Sequence, residues 1–252
     1  MIEFNFRGKH AVVTGAGGGM GEEIAFRILK AGGSVTAMDL KPCPERLAAY
    51  KDNLVFALGD ITDAAFVNKT IDDTATRFNG IDFLANVAGV LWFGKDTSML
   101  DMDLSIWDQV FDINLKSMVI LARAVVPHIR KRDNGGAMVH FSTTQWYRGD
   151  RHPQDAYQAS KAGVCALSKS LAMQLSADNI RSNAICPGMT LSPLQERWDT
   201  EEKKAAVAAA VPIGRIGTTS DMANTCLFLF SNEASYITGT EIIVDGGLLM
   251  NV

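Results

Sequence analysis

Apolar runs of strand length recur along the chain near residues 10–14, 34–39, 54–58, 81–86, 137–142, 180–185 and 240–244. Between them the apolar positions change to helical spacing. Ile24, Ala25, Ile28 and Leu29, for example, fall on one helical face, and the helix-stopping pair Gly32 and Gly33 follows. Short, continuous apolar runs alternating with helix-period segments are the signature of βαβ units. Such strands are covered by helices on both faces and therefore lie parallel. The pattern predicts an α/β fold around a parallel sheet. The 252 residues are enough for one large core, and no linker or low-complexity stretch divides them, so residues 1–252 are expected to form a single domain.

Composition removes several function classes. A formal net charge of −4 gives no electrostatic footprint for nucleic acid. No apolar run approaches the eighteen or so residues that a membrane helix needs. Residues 1–9 (MIEFNFRGK) lack the apolar centre of a signal peptide, so a cytoplasmic protein is expected. The four cysteines, Cys43, Cys165, Cys186 and Cys226, show no paired spacing, which points to reduced thiols. His10, His128, His140 and His152 do not group with them into a zinc pattern, so the expected chemistry is metal-free.

Two local patterns carry candidate chemistry. The first is TGAGGGMG, Thr14 to Gly21, which follows the apolar run Ala11, Val12, Val13 and precedes the amphipathic segment. Strand, glycine turn and helix together form a phosphate-binding context. The turn lets the backbone approach a pyrophosphate closely, and the positive helix N-terminus faces the phosphates. Gly15, Gly17, Gly18, Gly19, Met20 and Gly21 are the candidate contacts, although the spacing Gly15, Gly19, Gly21 departs from GxGxxG. The next apolar run ends on Asp39, about twenty residues beyond the loop. A carboxylate at the tip of the second strand accepts hydrogen bonds from the adenosine ribose and repels a 2′-phosphate. Leu40 follows it, no Arg or Lys stands within the glycine loop, and Lys41 is the nearest base. NAD is favoured over NADP.

The second pattern is YQASK, with Tyr157 four residues before Lys161. That spacing puts both side chains on one helix face, roughly 5–6 Å apart at Cβ. A phenol with a reference pKa of about 10 is a poor base near neutrality. A positive charge about 4 Å away is worth about 4 kcal/mol at an effective dielectric of about 20. That would lower the phenol pKa by about three as an upper limit, so the lysine is expected to depress it.

In this combination the sequence resembles the short-chain dehydrogenase/reductase family, in its short single-domain branch, from about Lys9 to Gly247. The TGxxxGxG loop matches Thr14 to Gly21, and the Asp-apolar pair that holds the adenine resembles Asp60 and Ile61. The NNAG stretch matches Asn86, Val87, Ala88 and Gly89, with Val in place of the second Asn. The helix asparagine falls on Asn114 in FDINL, and the catalytic Tyr and Lys fall on Tyr157 and Lys161. Pro187 and Gly188 lead to Ser192, the carboxamide-binding position, and VDGG closes at Gly247. The resemblance implies a doubly wound, Rossmann-type three-layer sandwich with a seven-stranded parallel sheet. Its ligand site lies beyond the C-terminal strand ends, where the strand order reverses.

One family position departs. The catalytic Ser normally ends the fifth strand, which here reads GAMVHFSTT. Aligned from Gly136, Thr143 takes that position with Ser142 beside it; counting back from Tyr157 lands on Thr144, so the loop carries one extra residue. Thr143 is the expected catalytic hydroxyl and Ser142 the runner-up. The resemblance implies hydride exchange between nicotinamide and a carbon bearing a hydroxyl or carbonyl. Tyr157 moves the proton, Thr143 hydrogen-bonds the oxygen, Lys161 holds the ribose, and Asn114 supports a water that links Lys161 to solvent.

Three segments wall the substrate pocket in this family. Here they supply Trp92 and Phe93, then Gln145, Trp146, Arg148, Arg151 and His152, then Gln195, Arg197 and Trp198. Aromatic faces mixed with amides and guanidinium groups suit a small polar or anionic substrate: a sugar, polyol, hydroxy acid or sulfonate. A cyclic or apolar alcohol or ketone, such as a steroid or 3-oxoacyl compound, is the alternative, and a non-catalytic NAD(H)-sensing module is the rival of a different class. Residues 190–212, including the helix-forming Thr200 to Ala210, are expected to form a lid over the substrate. Family members commonly assemble as homodimers or homotetramers, and the apolar tail Leu248, Leu249, Met250 and Val252 suits burial against a partner subunit.

Overall fold

The computed structural model describes residues 4–149, 151–195 and 197–251. The seven apolar runs become seven strands: β1 (His10–Thr14), β2 (Ser34–Asp39), β3 (Leu54–Leu58), β4 (Phe83–Asn86), β5 (Gly136–Phe141), β6 (Ile180–Pro187) and β7 (Glu241–Val244). They form one sheet in the order β3-β2-β1-β4-β5-β6-β7, with every pairing parallel.

The strands alternate sides as their period of two requires. Ala11 and Val13 face a layer that includes Ile24 and Ile28 of α1 (Gly19–Lys30) and Met222 and Phe230 of α8 (Thr219–Phe230). Val12 and Leu84 face the opposite layer, built from α3 (Ala64–Arg77) and α5 (Ser117–Ile129) through Val67, Ile71, Leu121, Val125 and Ile129. Each fully buried Ile or Leu of this kind contributes about 1.5–3 kcal/mol. The fold is a doubly wound three-layer sandwich. A short α2 (Glu45–Ala48) and α4 (Leu104–Phe111) complete the first half, and α6 (Asp155–Leu175) and α7 (Glu201–Ala209) the second.

At the bottom of the sheet, the buried Asp82 accepts from the ammonium of Lys9, the guanidinium of Arg132 and the backbone N–H of His10. This network ties β1, β4 and the end of α5 together. At the top, the chain leaves β1 toward β2 on one side and returns to β4 on the other, so a crevice opens between the two. Among the described residues no helix is long and apolar enough to cross a membrane.

Candidate active site

The crevice is a cleft of about 450 Å³ over the strand ends. Its floor is the turn after β1, and glycine is required there for steric reasons. A Cβ on Gly21 would stand 2.2 Å from the Gly15 carbonyl oxygen, and one on Gly17 would stand 2.7 Å from Cγ of Asp39. Gly15 and Gly19 also have φ of +69° and +60°, a region that side chains disfavour. Asp39, at the tip of β2, accepts from the backbone N–H of Gly17 and of Lys41, both at 2.7 Å, so each carboxylate oxygen is held in place. Gly18, Met20, Leu40, Asp60, Ile61, Ala88 and Gly89 line the same cleft, as do Pro187, Gly188 and Ser192 from the end of β6. The absence of side chains along the turn, opposite a fixed carboxylate, fits the pyrophosphate and ribose of a dinucleotide.

Asn86 is a correction to the sequence reading. It lies on β4 and lines a separate cavity of about 10 Å³ beneath the cleft, with His140, Asn114 and Lys161. Its amide donates to His140 Nδ1 at 2.9 Å. The period of two turns Asn86 away from the cleft and leaves Val87 to line it.

The other end of the cleft carries the titratable groups. Thr143, just beyond β5, lines the cleft beside Tyr157, and its Oγ1 accepts from the backbone N–H of Gln145 at 3.2 Å. Ser142 points elsewhere: its hydroxyl donates to the carbonyl of Lys161 at 2.7 Å. Lys161, buried on α6, donates from Nζ to the carbonyl of Phe141 at 2.8 Å. A Cβ on Gly89 would stand 3.0 Å from Lys161 Nζ and 3.1 Å from Asn114 Oδ1, so a larger residue there would crowd both.

Asn114 sits in a π-helical turn, Asp112–Lys116, between α4 and α5. Its amide donates to the Val90 carbonyl and to Ser160 Oγ, and its Oδ1 accepts from the Val90 N–H at 2.8 Å. The side chain is therefore committed to anchoring the NVAG loop and α6.

The proton energetics differ from the sequence expectation. Part of Tyr157 stays open to the cleft, but the surrounding protein pushes its phenol up to about 12, opposed only by the nearby Thr143 hydroxyl. Burial also brings Lys161 down to about 8. The ammonium lies 5.9 Å from the tyrosine ring centroid, and desolvation of both groups outweighs their attraction. The expected depression of the tyrosine pKa is absent from the protein alone.

A family model described as enoyl-(acyl carrier protein) reductase matches residues 15–249. A 3-oxoacyl-[acyl-carrier-protein] reductase of Thermotoga maritima is 32% identical over 248 residues, covering 96% of this chain and 98% of that protein. A 2-(R)-hydroxypropyl-CoM dehydrogenase of Xanthobacter autotrophicus is 32% identical over 246 residues, covering 94% and 96%. The ligand-free aldohexose dehydrogenase of Thermoplasma acidophilum superimposes with a TM-score of 0.87 at 30% identity, covering 98% and 96%. The chain belongs to the short-chain dehydrogenase/reductase family. It is an oxidoreductase of the CH–OH/carbonyl type that works with a nicotinamide cofactor.

In this dehydrogenase/reductase the substrate end of the cleft differs from the sequence expectation. Of the expected wall, Gln145 and Gln195 line it. Trp146 instead stacks on Tyr147 at 4.0 Å and packs against Cys165, Ala184 and Cys186. Trp92 packs with Met102, Val110 and Ala156. Arg148 is half-buried beside the start of α6, where its carbonyl accepts from Gln158, while Arg151 and His152 are exposed on the loop before that helix. Trp198 is half-buried outside the cleft lining, against the Arg197 guanidinium, which also lies 4.4 Å over the Phe93 ring. Apolar and charged loop side chains found partners nearer to hand than the cleft.

Other contributors were not singled out. Thr190 lines the cleft, as does Lys41, which the sequence marked only as the base nearest to Asp39. Asp96 accepts from the backbone N–H of Ala156 and Tyr157 at the start of α6. Its position in the segment after NVAG was the available signal. Cys165 and Cys186 also come together, at 3.8 Å between sulfurs, which a separation of 21 positions in the sequence did not suggest.

Proposed function

We propose that the protein is an NAD-dependent oxidoreductase acting on a secondary alcohol or the corresponding carbonyl of a small, polar or anionic substrate. Asp39 carries the cofactor half of this reading. Its two oxygens are fixed by Gly17 and Lys41 at 2.7 Å on the cleft wall, where a 2′-phosphate would meet a carboxylate. Gln145 and Gln195 at the substrate end support hydroxyl recognition by amides. The similarity to an aldohexose dehydrogenase points the same way.

The bound nicotinamide supplies or takes up the hydride. Tyr157 exchanges the proton of the reacting oxygen, and Thr143, beside the phenol in the cleft, donates to the same oxygen as its charge develops. Lys161, held by the Phe141 carbonyl, keeps a cation under the ribose and beside Tyr157. Asn114 fixes the loop and helix around them, and the backbone of its π-helical turn supports a water leading from Lys161. The polar wall and α7, none of whose residues is buried, act as a lid within residues 190–212 that closes over the substrate. The enzyme works in the cytoplasm as a homodimer or homotetramer, whose interface covers apolar side chains such as Val119, Met173 and Met250.

A second reading is reduction of a 3-oxoacyl or other apolar ketone. One observation favours it: with its pKa near 12, Tyr157 is a phenol at neutral pH and thus a ready proton donor to a carbonyl. The relatedness to 3-oxoacyl reductases agrees. A non-catalytic NAD(H) sensor is the weaker reading, because Thr143, Tyr157 and Lys161 are all assembled. The test is cofactor turnover by the purified protein, with NAD and NADP, on sugars, polyols, hydroxy acids, sulfonates and 3-oxoacyl thioesters. Turnover of polar alcohols with NAD supports the first reading, and NADPH-driven ketone reduction replaces it with the second. A Tyr157→Phe variant retaining most of the wild-type kcat would remove the Tyr-centred mechanism.

A further inference from the structure

Cys165 on α6 and Cys186 on β6 place their sulfurs 3.8 Å apart in a buried pocket with Ala184, covered by Trp146. Both are free thiols, and the proposed hydride chemistry uses neither. Lys161, Cys165 and Lys169 follow one another at four-residue steps on α6 and so share a helix face. Cys186 directly precedes Pro187 and Gly188. The two sulfurs therefore meet between the helix that carries Tyr157 and Lys161 and the strand end that lines the cleft.

The two thiols are not equivalent. The hydrogen bond from Cys186 and the nearby Lys169 ammonium hold Cys165 below its ordinary value, against burial. Sharing that hydrogen bond, with burial, pushes Cys186 up. Cys165 therefore gives up its proton more readily than Cys186 and is the better nucleophile of the two. The pair is also felt at the active site: negative charge on it acts to raise Lys161.

We propose that Cys165 and Cys186 are a redox pair, oxidised by hydroperoxides to a disulfide that ties α6 to the end of β6 and lowers turnover. The Cys165 thiolate attacks one peroxide oxygen; an S–O bond forms, the O–O bond breaks, and hydroxide leaves. The Cys186 thiol then attacks the resulting sulfenic sulfur, an S–S bond forms, and water leaves. The two thiols give up two electrons and two protons, and hydrogen peroxide becomes two waters. A dithiol reverses the change by exchange.

Bond formation draws the sulfurs from 3.8 Å to about 2.05 Å. Helix and strand are close-packed there, so the closure is passed to Lys161 or to Pro187 and Gly188. It also removes negative charge from beside Lys161, so the alkaline limb of the pH–rate profile moves to lower pH.

A bound metal is the competing use of this cluster, because the Glu241 carboxylate lies within 4.8 Å of both sulfurs. Glu241, however, is already held by the Lys169 ammonium and the Tyr147 hydroxyl. A tetrahedral soft-metal site would have to pull it away from both.

The test uses the full-length enzyme, reduced and then exposed to hydrogen peroxide, with non-reducing peptide mass mapping, turnover and NADH binding followed together. The expected result is a Cys165–Cys186 crosslinked peptide with kcat lowered at least about tenfold, since misplacement of about 1 Å can cost about 10²-fold. Dithiothreitol restores activity. Cys165→Ala and Cys186→Ala each keep the turnover of the reduced enzyme and lose the peroxide response. Three outcomes overturn the proposal: the pair stays reduced while Cys43 is oxidised, the crosslink forms with turnover and pH profile unchanged, or the thiols of the untreated protein become reactive only after chelation. The proposal rests on Tyr157 and Lys161 as the catalytic pair. The crosslink is read by mass rather than by activity, so its failure is distinguishable from failure of that reading.

Discussion

The Asp96 carboxylate accepts from the backbone N–H of Tyr157 at 2.8 Å, and its other oxygen accepts from Ala156 at 3.1 Å. Gln154, at the N-cap of α6, makes no side-chain cap hydrogen bond, so a residue 61 positions away does that work for the first turn. The same segment is stitched on twice more, by Asp155 N–H to the Thr97 carbonyl and by Met99 N–H to the Asp155 carboxylate. The loop after β4 thus sets where the catalytic helix begins, and with it the position of the Tyr157 ring.

Asp96→Ala should therefore lower stability by about 1–2 kcal/mol, as for loss of a helix cap. It should also lower kcat more than it raises KM, because the misplaced group acts on the reacting oxygen. Asp96→Asn keeps one acceptor and should recover part of both. Equal kcat in all three proteins would show that the cap serves folding alone. Thermal melts and steady-state kinetics of the three decide it.

Ser142 and Thr143 are adjacent hydroxyls that differ in place: Ser142 bonds the Lys161 carbonyl and Thr143, the proposed catalytic hydroxyl, lines the cleft. Thr143→Val keeps the side-chain shape but removes the donor proposed for the reacting oxygen, with an expected loss of about 10²–10³ in kcat. Thr143→Ser restores the hydroxyl and should retain most activity. Ser142→Ala loses the bond to the Lys161 carbonyl and should cost about 1 kcal/mol of stability with little change in kcat. If Ser142→Ala is the inactive variant, the two assignments are exchanged.

Asp39 and Lys41 share the cleft wall, and the proposed preference for NAD rests on the competition between them. Asp39→Asn removes the charge that opposes a 2′-phosphate and leaves Lys41 beside the site. The expected change is a rise of at least about tenfold in the NADP-to-NAD ratio of kcat/KM, equivalent to about 1.4 kcal/mol. Adding Lys41→Ala should cancel most of the NADP gain. An unchanged ratio in Asp39→Asn would mean that discrimination lies elsewhere in the cleft.

The sheet was legible because parallel strands covered on both faces are written as plain apolar runs, and Val12, Val35 and Leu84 obey that rule. The YQASK spacing gave the correct helix face. It could not give the balance of energies there: the four-residue step fixes how close Tyr157 and Lys161 lie, while burial depends on β5, β6 and the NVAG loop around them. The loop readings fared worst. Trp146 and Trp92 satisfied their apolar surface in satellite clusters, and Arg148 lies beside α6, because nothing in a loop's composition says which way it faces. Asn86 was misplaced by a single position, which on a strand reverses the face.

Two buried histidines should set the acid limit of stability. His10 donates from Nδ1 to the Gly80 carbonyl at 2.7 Å and accepts at Nε2 from Thr36. His140 accepts at Nδ1 from Asn86 and donates from Nε2 to Ser182 at 3.2 Å. Burial is the largest cause in both, bringing His10 down to about 4 and His140 to about 3. Unfolded, each takes up a proton near pH 6.5. Between pH 6.5 and about 4 the unfolded chain therefore binds more protons than the folded one. Stability falls with pH there, by about 1.4 kcal/mol per pH unit for each histidine. The loss from His10 levels off below about pH 4, and that from His140 below about pH 3. Denaturant titrations at stepped pH should show this slope in the wild type and about half of it in His140→Asn, whatever that variant's absolute stability. An identical slope in the variant would mean that His140 is not one of the groups being titrated.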